Sequence, residues 1–565
     1  MRLLALLMAL SAAVPGAARN KPKPPAPVPV KISGPAAAWV RGMTLRDKVA
    51  QLIMVQFYGD FPNVRSRSYR EYVREIAELK VGGLIILNRV RAGVVQRAEP
   101  FTMAAFINRM QRLARVPLIV GGDFERGASM RLTGTAPFPH LMAFGAANDL
   151  ALTRELGAVT AREARALGIQ WVFAPVADVN NNPENPVIGE RSFGERPDLV
   201  AAHVRAFIEG AHSDPKNPVL LCAKHFPGHG DTDVDTHLGL GTITADAARL
   251  DAVELAPFRA AIASGVDSVM TAHLAVPALE PEPVPATVSR NILTGLLREK
   301  LGFHGLIATD AMDMQGLAKL YAPGEAAVRA LEAGADLLLL PVNPTAAVEA
   351  VVNAVHQGRL KEARINESLV RVLSAKVKLG LNKRRFVSTD ALSEALDTPE
   401  DEELAATVSQ RAISLVKNDG NAVPLAKDSN ACWVTLTGSR LSAMGRDMLD
   451  DVRKRNPKSR IYPLDPQVDA AALDKIAAEL ASCDQVVLAA YVTLPGRYGA
   501  FVDKVLAQKP PVILVSFFNP YLLRTYPNVA AYMDTYSTSP PSELAAVRAL
   551  FGEAPATAVP PVTVR

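Results

Sequence analysis

The sequence predicts an α/β protein: a (β/α)8 TIM-type barrel followed by a smaller α/β sandwich domain. Three observations carry this. Eight short apolar runs recur between residues 52 and 340, amphipathic stretches separate them, and a second set of apolar runs follows a polar break after residue 382. Apolar runs of this length, bounded by Gly, Pro or polar residues, suit strands buried on both faces, and the stretches between them suit covering helices.

In chain order the eight runs are Leu52–Phe57, Gly83–Leu87, Leu118–Gly122, Gln170–Pro175, Val219–Ala223, Asp267–Thr271, Gly305–Thr309 and Asp336–Leu340. Eight strand–helix units suggest a closed barrel with insertions. Periodicity alone also admits a doubly wound open sheet. Residues 383–408 read as an interdomain linker, with Lys383, Arg384 and Arg385 near one end and acids at the other. Beyond it, Cys432–Leu436, Val486–Ala490, Val512–Phe517 and Val529–Met533 read as strands of an open, mostly parallel sheet, with a helix at Ala470–Leu480. Neither GxGxxG nor a P-loop occurs there, so nucleotide binding has no motif behind it.

The N-terminus reads as an address. Arg2 precedes an apolar stretch from Leu3 to Leu10, and small residues lead to Ala18, the pattern of a cleaved secretory signal over residues 1–18. An uncleaved anchor is the rival reading, but Pro15 interrupts a stretch already short for a membrane span. Residues 19–36 form a Pro-rich tether, so the barrel is expected over 37–382 and the sandwich over 409–565. No Cys stands near the cleavage point for lipid attachment, which points to an exported, periplasmic protein with no stable membrane insertion after cleavage.

Composition narrows the function classes. Hydrophobic residues are 49% and charged residues 21%, which excludes disorder over most of the length. The 62 basic and 57 acidic residues nearly balance and form no long basic block, so no nucleic-acid partner is expected. Three cysteines, Cys222, Cys432 and Cys483, are too few for a disulfide framework, although one bridge between Cys432 and Cys483 is open.

Chemistry concentrates after the strand runs, where a barrel gathers its catalytic residues. The third run leads into Asp123-Phe124-Glu125-Arg126-Gly127 with Arg131 beyond. The fourth leads to Asp178 and then Glu190-Arg191-Ser192-Phe193. The fifth leads into Lys224-His225-Phe226-Pro227-Gly228-His229-Gly230-Asp231-Thr232, then Asp235-Thr236-His237. His273 follows the sixth, and Thr309-Asp310-Ala311-Met312-Asp313-Met314 the seventh. Three readings of the fifth loop are open. His225, His229 and His237 could bind a metal, but Pro227, Gly228 and Gly230 break the helix that would align them. His229 and Asp231 could tie the loop into shape. Asp235 and His237, two apart, could pair for proton transfer.

The fifth loop and the Asp310 segment together resemble the hallmark segments of glycoside hydrolase family 3, in its β-N-acetylglucosaminidase branch. Met43-Thr44-Leu45-Arg46-Asp47-Lys48-Val49 and Leu415-Val416-Lys417-Asn418-Asp419-Gly420 resemble further family segments. The resemblance implies a retaining, cofactor-free and metal-free glycosidase acting on oligosaccharides or peptidoglycan fragments with terminal β-linked GlcNAc. It implies Asp310 as nucleophile, His237 assisted by Asp235 as acid/base, and Asp123, Arg131, Arg191, Lys224 and His225 as sugar-binding residues. A structural ion pair is the alternative role for Asp123 and Arg131; Asp336 reads as structural, Asp178 as a cap, and His273 fits either role. A β-glucosidase of the same family and a non-catalytic cell-wall sugar-binding protein are the rival functions. Two departures stand out. Phe124 and Arg126 replace smaller residues common in the third loop and are expected to reshape the rim of the sugar subsite, and Thr236 replaces the commoner Ser.

Overall fold

A computed structural model describes residues 32–565; the proposed signal and nearly all of the tether lie outside the described residues. Seven of the eight apolar runs contain a strand and the fifth overlaps one that runs on to Phe226: β1 Ile53–Phe57, β2 Gly83–Ile86, β3 Ile119–Gly122, β4 Trp171–Val172, β5 Leu220–Phe226, β6 Ser268–Thr271, β7 Leu306–Ala308 and β8 Leu338–Leu339. All neighbouring pairs are parallel, in the order β7-β6-β5-β4-β3-β2-β1-β8. A parallel bridge between Ala308 and Leu337 joins β7 to the start of β8 and closes the ring. Ring closure gives every strand two partners and leaves no sheet edge exposed.

The strands are buried on both sides, since their side chains alternate between the barrel interior and the helical coat. β2, β3, β5, β6 and β7 contain only buried residues. Helices Leu150–Ala166 and Pro197–Ala211 pack side by side on this coat. Asp336, at the entry to β8, is fully buried and lies at the foot of the barrel. It pairs with Arg298, accepts from Ser368 Oγ at 2.6 Å and Arg371 Nη1 at 3.0 Å, and is remote from the loops that follow the strands. Its role is structural.

The C-terminal domain holds a six-stranded sheet of β9 Ser414–Asn418, β10 Ala431–Leu436, β11 Arg460–Leu464, β12 Gln485–Ala490, β13 Val512–Ser516 and β14 Ala531–Asp534. Its order is β9-β14-β13-β12-β10-β11, parallel except where β9 meets β14. Met448, Leu449, Val452, Ala545 and Leu550 cover one face from helices Arg446–Arg455 and Pro540–Leu550. Leu473, Ala477, Leu480, Phe501 and Val502 cover the other from Ala470–Leu480 and Gly499–Leu506. Cys432 on β10 and Cys483 just before β12 form a disulfide, with Cα atoms 5.9 Å apart, while Cys222 is free and buried.

The segment 383–408 is not bare linker. It carries helix Asp390–Ala395 and most of Pro399–Arg411, which pack on the barrel helix Leu150–Ala166 and the sandwich helix Pro540–Leu550. The C-terminal tail also returns to the barrel, where Thr563 N donates to Glu195 Oε2 at 2.8 Å. Among the described residues no helix is long and apolar enough to cross a membrane.

Candidate active site

The loops after β3, β4, β5 and β7 meet at one end of the barrel. The deepest part is an ion-pair network. Lys224 Nζ lies 2.7 Å from Asp123 Oδ1 and 2.8 Å from Glu125 Oε1. Arg131 Nη2 reaches Asp123 Oδ2 at 2.6 Å, and Arg191 grips Glu125 through Nε at 3.0 Å and Nη2 at 2.7 Å. Two carboxylates are thus shared by three cations. Burial alone would raise both carboxyls, but the neighbouring cations overcome it. Lys224 and then Arg131 hold Asp123 far below the usual carboxylate range, and Arg191 and then Lys224 do the same for Glu125. Despite its burial, Lys224 is raised by Asp123 and Glu125 and stays charged.

A local irregularity presents these residues. Between β5 and β6, Ala223 faces Val269 while Phe226 faces Thr271, so one extra residue is inserted on β5. A bulge of this kind re-aims side chains next to a site. Here Lys224 reaches Asp123, and His225 turns to Asp178 and Arg191. The Lys224–His225 and Phe226–Pro227 peptides are cis.

Asp178 is the anchor of the fifth loop rather than a cap. Fully buried after β4, it accepts from His225 Nδ1 at 2.8 Å, from His225 N at 3.1 Å and from His229 N at 2.7 Å. The glycines explain how the loop lies so close. A Cβ on Gly230 would sit 1.6 Å from Val179 O, and Gly228 combines φ +130° with a Cβ position 2.7 Å from Glu254 Cβ. His229 Nε2 pairs with Thr236 Oγ1 at 2.9 Å, and burial lowers His229 to about 4. His229 is therefore a neutral tie within the loop, and the hydroxyl of Thr236 is what it ties to.

Past this anchor the loop emerges into solvent. His237 Nδ1 and its backbone N–H both lie 2.8 Å from Asp235 Oδ1, and the two side chains are 58% and 32% exposed. His225, His229 and His237 thus face Asp178, Thr236 and Asp235 respectively. Among the described residues no cluster of three or more His, Cys, Asp or Glu could hold a metal.

Asp310 follows the run through β7, with Oδ1 accepting from Ala311 N at 2.8 Å. Two contacts bring its loop to the Asp235–His237 loop: Gly316 N donates to Thr236 O at 3.1 Å and Gln315 N to His237 O at 3.4 Å. His273 supports the Asp310 loop from β6. Its Nε2 lies 2.9 Å from Ala311 O and its Nδ1 2.8 Å from Thr287 Oγ1, and burial keeps it neutral. Asp313 is raised by burial and by the charge of Asp310, the mark of two carboxyls close together.

Every sequence-predicted site residue therefore lies at this end of the barrel. The structure adds Glu125, the second anion of the network, and gives Asp178 its anchoring task. Glu125 had a signal in the sequence, a second acid two residues after Asp123. Phe124 does not reach the rim. It is fully buried beside Gly122, and of Phe124 and Arg126 only Arg126 is partly exposed.

Residues 44–375 match the model of the glycosyl hydrolase family 3 N terminal domain. A beta-N-acetylglucosaminidase/beta-glucosidase of Cellulomonas fimi is 28% identical over 571 residues, 94% of this chain and 97% of that protein. Beta-hexosaminidase A of Pseudoalteromonas piscicida is 32% identical over 375 residues, 61% of each chain. The structure of a glycoside hydrolase family 3 beta-N-acetylglucosaminidase from Paenibacillus sp. str. FPU-7 superposes with a TM-score of 0.82 at 34% identity, covering 93% of this chain and 99% of that one.

Proposed function

The chain belongs to glycosyl hydrolase family 3, and we propose that it is an exported, retaining β-N-acetylglucosaminidase that removes terminal GlcNAc from peptidoglycan fragments. The observation that carries this reading is the docking of the Asp235–His237 loop on the loop that follows Asp310. A nucleophile and a proton-transfer group are thereby held on adjoining loops beside a buried polar grip.

In this reading Asp310 attacks the anomeric carbon, forming a glycosyl ester as the bond to the leaving group breaks. His237 gives its Nε2 proton to the departing oxygen, then takes a proton from the water that cleaves the ester. Asp235 holds Nδ1 and so fixes which nitrogen faces the substrate. Asp123, Lys224, Arg131, Arg191 and His225 bind the sugar hydroxyls. Charged donors and acceptors this buried reject a sugar that leaves them unmatched. Export is supported by the Cys432–Cys483 disulfide, which suits an oxidising compartment.

Assay of the 4-nitrophenyl β-glycosides of GlcNAc and of glucose tests the reading. Turnover of the GlcNAc glycoside at least tenfold faster is expected. Preference for glucose assigns a β-glucosidase, and turnover of neither assigns a binding protein. Release of GlcNAc from purified peptidoglycan fragments, compared with chitobiose, tests the substrate.

A further inference from the structure

Arg126 is the departure from the family loop that the mechanism leaves unused. It follows Glu125, yet it is not part of the ion-pair network. Its one hydrogen bond is from Nη1 to Phe138 O at 3.2 Å, and no carboxylate lies within ion-pair distance of it among the described residues. Arg97, in the segment between β2 and β3, is in the same state. It is exposed, donates from Nη1 to Ser129 O at 3.4 Å and has no carboxylate partner among the described residues. Both arginines sit at one loop, since Arg97 bonds Ser129, three residues after Arg126; burial and then the charge of Arg97 lower Arg126 to about 10. Two acids face Arg126: Glu125, already gripped by Arg191 and Lys224, and Glu190, half-buried after β4. Burial raises it to about 7 against the pull of Arg191, so it is a weak counterion near neutral pH. His140 also faces Arg126. Burial and the charge of Arg126 keep it neutral, and it is tied through Nδ1 to Ser537 of the C-terminal domain at 3.1 Å. The neighbouring network already carries three cations on two carboxylates. This wall is therefore short of negative charge.

Topology says which end of a bound sugar meets it. β3 and β7 are four strands apart in a ring of eight, so their loops face each other across the mouth. C1 and C4 are opposite corners of a pyranose ring. A sugar with C1 at Asp310 therefore turns its C4 edge, and the C6 arm beside it, toward Asp123 and the arginines past it. GlcNAc itself has no charge to offer there.

We propose that Arg97 and Arg126 form a seat for an oxyanion ester, sulfate or phosphate, carried on the C6 arm of the terminal sugar. The inference rests on the glycosidase reading above. A guanidinium pair suits this task because each planar fork can donate two parallel hydrogen bonds to a tetrahedral oxyanion, and the pair loses its mutual repulsion when the anion arrives.

The test uses 4-nitrophenyl β-GlcNAc and its 6-sulfate and 6-phosphate. The readout is the ratio of kcat/KM for each ester to that for the parent glycoside, in wild type, Arg126→Met, Arg126→Gly and Arg97→Ala. The expected result is a ratio that falls about tenfold in both Arg126 variants and about threefold in Arg97→Ala, mainly through KM. The ester with the larger fall is the one the seat reads. An unchanged ratio in folded variants overturns the inference, as does a wild type that cleaves the parent but neither ester. If the parent is not cleaved, the glycosidase reading fails instead. Calorimetric binding of GlcNAc 6-sulfate and 6-phosphate against GlcNAc then decides the seat, and equal affinities in wild type and Arg126→Met overturn it.

Discussion

The two sides of the barrel mouth are built by opposite means. On one side, Lys224, Glu125 and Asp178 are 2%, 4% and 0% exposed, and each of the three is held by partners from other loops. On the other, Asp235 and His237 are 32% and 58% exposed, and their pairing is local, across two residues. The buried side is set before any sugar arrives, so it can select but has little freedom to move protons. The exposed side has the access a proton carrier needs and relies on one hydrogen bond for its orientation. In the proposed division of labour, binding selectivity lives in the network and leaving-group chemistry in the loop.

Asp310 belongs to neither side, and its loss is expected to be the largest effect. Asp310→Ala should lower turnover of every glycoside by about 10⁴-fold or more, the scale for removing a covalent nucleophile. A 5-fluoro GlcNAc donor should label Asp310 by mass spectrometry. A label on Asp313, the raised carboxyl beside it, would reassign the nucleophile.

The buried side can be broken directly. Lys224→Met leaves Asp123 and Glu125 without their shared cation and should cost about 3–5 kcal/mol of barrel stability, the usual range when one partner of a buried ion pair is removed. Denaturant unfolding checks this, and any folded remainder should show a raised KM. Acid should act on the same network. Asp123 and Glu125 are held below their usual values near 4, so their contribution is present above that pH and is lost as pH falls through their lower folded values. In Lys224→Met this acid loss should shrink. An acid profile identical to wild type would show that the network does not govern it.

These two sides also differ in how far the sequence revealed them. Eight apolar runs disclosed the barrel strands because parallel strands buried on both faces need continuous apolar stretches. Arg460–Leu464, an edge strand, escaped because it is only half-buried and includes Pro463, leaving no such stretch. Ser414–Asn418, the antiparallel edge, is mostly half-buried and polar at its end. At the site, Asp235 and His237 were legible as a pair because their contact is local. The partnership of Lys224 with Glu125, and of Asp178 with His225 and His229, was not, since those contacts join loops 99, 47 and 51 residues apart in sequence, separations that only closure of the barrel brings together.

The exposed side breaks in a more selective way. His237→Ala should cost about 10²–10⁴-fold on substrates with poor leaving groups, the range for losing a general acid. An activated aryl glycoside should be affected less and should accumulate the ester on Asp310. Azide, which needs no general base, should restore turnover and give the β-glycosyl azide. Equal losses on all leaving groups, without azide rescue, would make His237 a loop tie like His229.

Asp235→Ala sharpens the contrast with the smallest effect. His237 Nδ1 and its backbone N–H both use the same Asp235 oxygen, so one substitution frees the ring and the turn together. The imidazole remains and still exchanges protons, but it loses the partner that fixes its orientation and tautomer. The expected loss is about tenfold on poor leaving groups, with partial azide rescue. Asp235→Asn keeps an oxygen that can accept from Nδ1 but removes the charge. A rate restored in Asp235→Asn assigns the contribution to the hydrogen bond, and a rate as low as that of Asp235→Ala assigns it to the charge. Loss of stability without change in leaving-group dependence would instead place Asp235 with the buried side, as a structural member of its loop.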